Sequence, residues 1–512
     1  MHRILGSHRA WPLYGTANSR AIEQRALERT AEHGLMQRAG LAVARLALAV
    51  APYSRRTWVV AGPGNNGGDG LEAAAHLRRA GHDVTVHLIG SLHAQPADAR
   101  AALERARGAG VRIEPGLPAQ APACDLVIDA LLGLGSTRPP RGDFAHAIAA
   151  INTAGEPCLA VDLPTGLAAD TGAVDEAADC VRAAHTLSLL TLKPGLFTAQ
   201  GRDAAGEVWL DDLGIEPTVE PDAWLAGAPP AQARALRRHA QHKGSFGDVV
   251  VVGGAPGMGG AAVLAARSAL AAGAGRVYLA PLDEALPSID STRPELMLRE
   301  RAWLAAPPWL AQRTVVCGCG GGDEVRTALP PLLHHAGRLV LDADALNALA
   351  GDEALRHALQ ARAARGWPSV LTPHPLEAAR LLARSLAEVQ ADRLGAARRL
   401  AEAFGAVVVL KGSGSVVAAA AQVPHVNPTG SAALASPGTG DVLAGWIGGW
   451  WSAAASTSVS APGNAATARD ASAWSAALAS VWWHGQAAQG LGRGPLRASD
   501  LIERMHALAA SG

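Results

Sequence analysis

Short apolar runs alternate with longer segments of helical spacing along most of the chain. In the first half, Thr57–Ala61, Val84–Ile89, Asp125–Ala130, Leu159–Asp162, His185–Leu192 and Glu207–Leu210 have the length and residue content of buried strands. Ala17–Val50 and Leu71–Ala80 instead place apolar residues three and four apart with charges between them, as helices do when one face packs on a sheet. Strand, helix, strand at this spacing is a parallel crossover, so residues 1–215 are expected to form a Rossmann-like doubly wound α/β sheet. From Glu216 to Gln232 the periodicity gives way to Pro, Ala and small residues, so 216–235 reads as a linker. The pattern resumes with strands at Asp248–Val252, Arg276–Ala280, Thr314–Cys317, Arg338–Leu341 and Ala406–Leu410, predicting a second α/β/α layered domain over 236–512. Within it, Ser452–Ala477 is Ser- and Ala-rich and reads as a disordered surface insertion.

Composition narrows the possible partners. With Lys+Arg and Asp+Glu balanced at 45 each, the chain is not built around a polyanion, and no nucleic-acid partner is expected. No apolar run is long enough for a membrane span, and the first residues lack the apolar core of a secretory signal. The five cysteines are scattered, and the Cys317-x-Cys319 pair lacks zinc-knuckle spacing, which fits buried thiols in a reducing cytoplasm.

The unusual residues fall where the strands end. Asn65, Asn66, Gly67, Gly68 and Asp69 follow one strand; Asp129 with Gly133, Leu134, Gly135, Ser136, Thr137 and Arg138 follows another; Asp162 and Thr165 follow a third. Amide, carboxylate and hydroxyl groups in three successive loops suit ribose, a carboxamide or a hard cation. In the second half the strand-end groups are Asp342 and Asp344, His374 between two prolines, Lys411 in a glycine-rich turn, and Gly438-Thr439-Gly440-Asp441 before an apolar run of helical length. Glycines ahead of a helix start bring backbone N–H groups together at its positive end, an anion hole with Asp441 at its rim. Taken singly, each of these is also an ordinary cap or turn.

GPGNNGGDG, DLVIDALLGLG and VDLPTG resemble the NAD(P)HX epimerases over about residues 10–215. The resemblance implies that Asn65–Asp69 and Gly133–Pro139, with Pro139 included, contact a hydrated nicotinamide nucleotide. It also implies that Asn66, Asp129 and Thr165 bind potassium, and that Asp162 sits at the nicotinamide end. A carboxylate there would stabilise positive charge on the ring and shuttle a proton. Thr165 stands where the family usually has Ser, which keeps a hydroxyl, and Leu35–Gly40 replaces the family's usual acidic and amide pair at a pocket wall or dimer contact.

HKGSFGDVVVVGG, VLDADALN, LTPHPLE, VVLKGSGSVV and SPGTGDVLAG, in that order, resemble the ribokinase-like NAD(P)HX dehydratases, whose bacterial form uses ADP. The resemblance implies that Ala261, Gly320 or Gly322, His374 and Asp441 contact the hydrate. Lys411, Gly412, Ser413, Gly414, Ser415 and Gly440 would hold the adenine nucleotide, accompanied by magnesium. The loop Cys317–Gly322 replaces a glycine-proline-glycine-leucine-glycine type, so it is expected to be more flexible and to hold substrate less firmly. The expected protein is a homo-oligomeric bifunctional repair enzyme with Asp441 and Asp162 as its catalytic acids. The alternative is a small-molecule kinase fused to a non-catalytic nucleotide-binding module.

Overall fold

The structure, a computed structural model, describes residues 1–4, 9–91, 95–135, 138–175, 178–229, 239–285, 289–299, 306–457, 465–490 and 494–511. It divides into two compact units, the first running to Leu225 and the second beginning at Ala226.

The first unit contains β1 (His2–Arg3), β2 (Trp11–Leu13), α1 (Thr16–Leu27), α2 (Gly34–Val50), β3 (Arg56–Ala61), α3 (Asn65–Arg79), β4 (Asp83–Leu88), α4 (Ala97–Gly108), β5 (Arg112–Pro115) and β6 (Leu126–Ala130). It continues with α5 (Asp143–Thr153), β7 (Cys158–Val161), β8 (His185–Leu189), α6 (Gly201–Ala204), β9 (Glu207–Asp211) and β10 (Ala223–Leu225). Its sheet has the order β1-β9-β8-β7-β6-β3-β4-β5, parallel apart from β1. The central strands are buried on both faces, which is why they read as unbroken apolar runs rather than alternating ones. The stretch expected to begin the linker at Glu216 instead stays with this unit. Ala223–Leu225 pairs antiparallel with Trp11–Leu13, and Ala223 and Leu225 are fully buried.

The second unit contains β11 (Asp248–Gly253), α7 (Gly259–Ala271), β12 (Arg276–Pro281), β13 (Met297–Leu298), α8 (Pro307–Leu310), β14 (Thr314–Cys317), α9 (Val325–His335), β15 (Arg338–Leu341), α10 (Ala343–Ala350) and α11 (Glu353–Ala364). After these come β16 (Ser369–Leu371), α12 (Pro375–Leu382), α13 (Leu386–Ala391), α14 (Arg393–Phe404), β17 (Val407–Leu410), β18 (Val416–Ala419), β19 (Gln422–Val426), α15 (Thr439–Thr457), α16 (Ala465–Gln489) and α17 (Ala498–Ser511). Strands β13-β12-β11-β14-β15-β16-β17 are parallel, and β18 and β19 continue antiparallel. The expected surface insertion at 452–477 is not a loop in its described parts: α15 runs on to Thr457 and α16 starts at Ala465. Ser452, Ala473, Ala476 and Ala477 are buried in the core, because small side chains let these helices pack closely. Among the described residues, no helix is long and apolar enough to cross a membrane.

Candidate active sites

In the first unit β3 lies between β4 and β6, so the winding reverses there, and ligands of such sheets bind beyond the carboxyl ends of those strands. A cavity of about 520 Å³ opens at that point, lined among others by Glu23, Asn65, Asn66, Asp69, Gly133, Leu134, Gly135, Asp162 and Lys193. Asn65–Asp69 is not a free loop but the first turns of α3, so its backbone N–H groups point to the cavity with the positive helix end. Gly67 and Gly68 do not line it. A side chain on Gly67 would come within 1.9 Å of the Gly62 carbonyl and one on Gly68 within 2.7 Å of Met36, so both serve close packing of α3. Arg138 is exposed and Pro139 half-buried, and neither lines the cavity; Ser136 and Thr137 lie outside the described residues. Leu35, Met36 and Ala39 of α2 form an apolar wall, which places the departure at Leu35–Gly40 in the pocket itself.

Asp162 leaves β7 in a left-handed conformation (φ 66°), an infrequent one that Asp tolerates better than most residues. Its carboxylate accepts from the Leu189 N–H at 3.1 Å and from the Lys193 ammonium. Lys193, which is fully buried, also donates to the Leu189 carbonyl at 2.8 Å and to Ser188 Oγ at 3.3 Å. Nearby, burial reinforced by Asp162 and Glu23 pushes the Asp69 carboxyl well above the usual carboxylate range. Behind the cavity, Asp129 accepts from the Thr165 hydroxyl at 2.7 Å and the Thr165 N–H at 2.8 Å; burial outweighs these bonds and pushes its carboxyl up to about 6. The Thr165 hydroxyl is 3.3 Å from the Leu132 carbonyl, the Asn66 amide packs on Gly133, and Asn66 Nδ2 is buried with no hydrogen-bond partner. A carboxylate, a hydroxyl, an amide and a carbonyl thus gather around residues 131–133, a donor set of the kind a hard cation takes.

The second unit repeats the logic at β11 and β14. The loops after these strands are bonded to each other, Gly254 N–H to the Cys319 carbonyl at 3.0 Å and Ala255 N–H to the Gly320 carbonyl at 2.7 Å. The glycine-rich loop expected to be flexible is therefore tied to its neighbour. Gly318 and Gly320 take φ of 119° and 57°, which lets the loop turn tightly on either side of the fully buried Cys319. A side chain on Gly320 would touch Ala261 Cβ at 2.9 Å, so these two expected residues are neighbours, and Gly322 N–H donates to Asp344 at 2.9 Å.

Gly440 and Asp441 lie within the first turn of α15 rather than ahead of it. Lys411 Nζ donates to Asp342 Oδ1 at 2.6 Å and lies 4.0 Å from Glu377. Burial alone would lower the Lys411 pKa, but Asp342 and Glu377 outweigh it and raise it. A side chain on Gly440 would stand 3.3 Å from that ammonium, so glycine here admits a fixed cation beside the helix start. Asp342, at the N-cap of α10, makes no capping bond; its carboxylate is spent on Lys411. His374 caps α12, accepting at Nδ1 from the Leu376 and Glu377 N–H groups, and burial together with Lys411 lowers its pKa. Burial, reinforced by Asp342, pushes the Asp441 carboxyl up to about 6, against an opposing hydrogen bond from the Cys319 thiol.

Four contributors escaped the sequence reading. Lys193 follows the strand read at His185–Leu192, and its pairing with Asp162 is a tertiary fact. Arg393, also fully buried, donates to the carbonyls of Lys411 and Gly414 and so shapes the turn 411–415 from beneath. His484, from α16, holds the Thr439 carbonyl at 2.9 Å. Cys319 was noticed only as a departure. Gly412 and Gly414 adopt positive φ, and Ser415 Oγ bonds the Gly412 carbonyl at 3.2 Å, so the turn presents its backbone while Ser413 is exposed.

A family model described as YjeF-related protein N-terminus matches residues 32–195, and one described as NAD(P)H-hydrate dehydratase matches residues 249–504. The chain is 38% identical over 427 residues to the bifunctional NAD(P)H-hydrate repair enzyme Nnr of Escherichia coli (strain K12), covering 81% of this chain and 79% of that one. It is 38% identical over 455 residues to the enzyme of the same name from Coxiella burnetii, covering 85% and 89%. Among solved structures it is similar to the ADP/ATP-dependent NAD(P)H-hydrate dehydratase from Bacillus subtilis, crystallised with ATP and Mg2+, at 26% identity and a TM-score of 0.43, covering 55% of this chain and 95% of that one.

Proposed function

The chain belongs to the bifunctional NAD(P)H-hydrate repair enzymes, and from that premise we propose how its two units divide the work. The first unit interconverts the R and S epimers of hydrated NAD(P)H, and the second dehydrates the S epimer to NAD(P)H with a nucleotide, ADP, giving AMP and phosphate. With all five cysteines free and buried, the protein fits a reducing cytoplasm.

In the first cavity the nicotinamide end of the substrate lies against Asp162 and Lys193. Loss of the 6-hydroxyl leaves an iminium-like ring, and return of water to the other face gives the second epimer. Asp162 faces the developing positive charge, while Lys193 holds its carboxylate in place and can pass a proton. Asn65, Asn66 and the N–H groups at the start of α3 take the nucleotide. Asp129, Thr165 and Asn66 have the oxygens to hold potassium, which would supply a fixed positive charge behind the Gly133–Gly135 loop.

The observation that carries the dehydratase is Asp441 at the start of α15, its carboxyl displaced to about 6 beside a fixed ammonium. Asp441 takes the proton from the hydrate's 6-hydroxyl, and that oxygen attacks the terminal phosphoryl group of the nucleotide. The N–H groups of Gly438–Gly440 and Lys411 stabilise the transferring charge. Phosphate then departs from C6 as the ring nitrogen's lone pair forms an iminium, and loss of a proton from the adjacent C5 to the departing phosphate restores the dihydropyridine. Asp342 is already taken by Lys411. Magnesium brought with the nucleotide would neutralise the charge of its phosphates beside Asp342, Lys411 and Asp441. Incubating the protein with mixed hydrate epimers and ADP or ATP should restore NADPH absorbance from both epimers. No recovery with either nucleotide would refute the assignment.

A further inference from the structure

The Cys319 thiol, from the loop after β14, lies next to Asp441. The ligand atoms of Cys319, Asp342 and Asp441 all lie within 4.8 Å of one another, which places the thiol beside the Asp441 carboxylate. Nothing about Cys319 is free to drift. It is fully buried, its carbonyl accepts from Gly254 N–H at 3.0 Å, and the glycines on either side turn at positive φ. The charged groups facing Asp441 are accounted for: Asp342 and Asp344 from α10, and Lys411 from the turn after β17. Of these, Lys411 is committed to Asp342, Asp344 to Gly322, and His484 behind the turn to Thr439. Cys319 thus stands beside the base on a loop held in place from both sides.

We propose that Cys319 is a positioning residue for dehydration: its thiol donates to Asp441 and turns the carboxylate's second oxygen toward the hydrate hydroxyl. The inference rests on the reading of Asp441 as the base. A buried thiol suits the task because it stays protonated, its own pKa pushed well up by burial and by the charges of Asp441 and Asp342. It therefore only donates. Donation strengthens when the carboxylate is ionised and weakens once it has taken the proton, so the bond favours the form that acts as base.

The test compares Cys319→Ala and Cys319→Val, which lack the donor, with Cys319→Ser, which keeps one. Val is slightly larger than Cys and leaves no cavity, so a loss caused by a cavity would separate it from Ala. In both donorless variants the acidic limb of kcat against pH is expected to move up by about half a unit, a roughly threefold loss on the acid side that vanishes above about pH 8. The Ser variant should keep the wild-type limb, and R-epimer conversion by the first unit should be unchanged in all three. An unmoved limb in Ala and Val, or a limb that moves equally in Ser, overturns the inference. Asp441→Asn, run alongside, separates the two claims: if it still dehydrates, the base assignment fails as well. If it is dead while the Ala and Val limbs are unmoved, only the role of Cys319 fails.

Discussion

Asp162 and Asp441 occupy equivalent places, beside the switch points of two parallel sheets, yet they are set up in opposite ways. Asp162 is joined directly to a buried lysine, so its charge is matched before substrate arrives. At the second site the lysine is matched to a different carboxylate, Asp342, and Asp441 is left with a thiol and pushed up to about 6. The comparison teaches that the partner of a buried acid decides its chemistry. An acid locked to a cation presents a fixed dipole to a ring that turns positive, whereas one whose neighbouring cation is paired to another carboxylate can take a proton near neutral pH.

The strongest way to test this contrast is to remove each acid's function in the intact chain. Asp441→Asn should lower dehydration by about 10²–10⁴-fold while R-to-S conversion continues, as measured by separating the epimers chromatographically. A parallel loss of both activities would break the contrast. Lys193→Met should lower epimerisation and also destabilise the first unit by about 3–5 kcal/mol, because Asp162 would be left charged and buried. The double variant Asp162→Asn with Lys193→Met should regain much of that stability in thermal unfolding yet remain inactive as an epimerase. Next in size is the pH effect. Since Asp441 must be ionised to act, the dehydration rate should fall about tenfold per unit as pH drops through about 6 and level off above it. A rate flat across that range would mean the base is some other group. The smallest change is Thr165→Ser, which keeps the hydroxyl that bonds Asp129. It should leave epimerisation within about twofold and lower stability by about 1 kcal/mol for the lost methyl group.

Much of the architecture was legible in the sequence because parallel strands buried on both faces stand out as short apolar runs. Their ends announce themselves with Asn, Asp and Gly. What escaped was set by tertiary packing. Asn65–Asp69 reads as a loop from composition, but α3 can begin at Asn65 because Gly67 and Gly68 let it sit against Gly62 and Met36. Ser452–Ala477 reads as disordered because Ala and Ser blur the helical period; in the described residues those same small side chains are what the core encloses. At the sites, the expected polar residues did converge, Asp129 with Thr165 and Lys411 with Gly440. Arg138, by contrast, is exposed and does not line the cavity, and Gly67 and Gly68 are spent on packing. Lys193 and Arg393 left no local signal, since a buried cation is defined by the groups across from it.

The described residues around the first cavity all fall between Ser19 and Leu213, and those around the second site all come after Gly253. In hereditary terms, the two reactions occupy separate stretches of one reading frame. A missense allele in one stretch leaves the other set of residues complete, so two alleles damaged in different halves should complement each other when carried together. The hydrate released by one product would diffuse to the other. Only alleles that unfold or truncate the chain would silence both reactions at once.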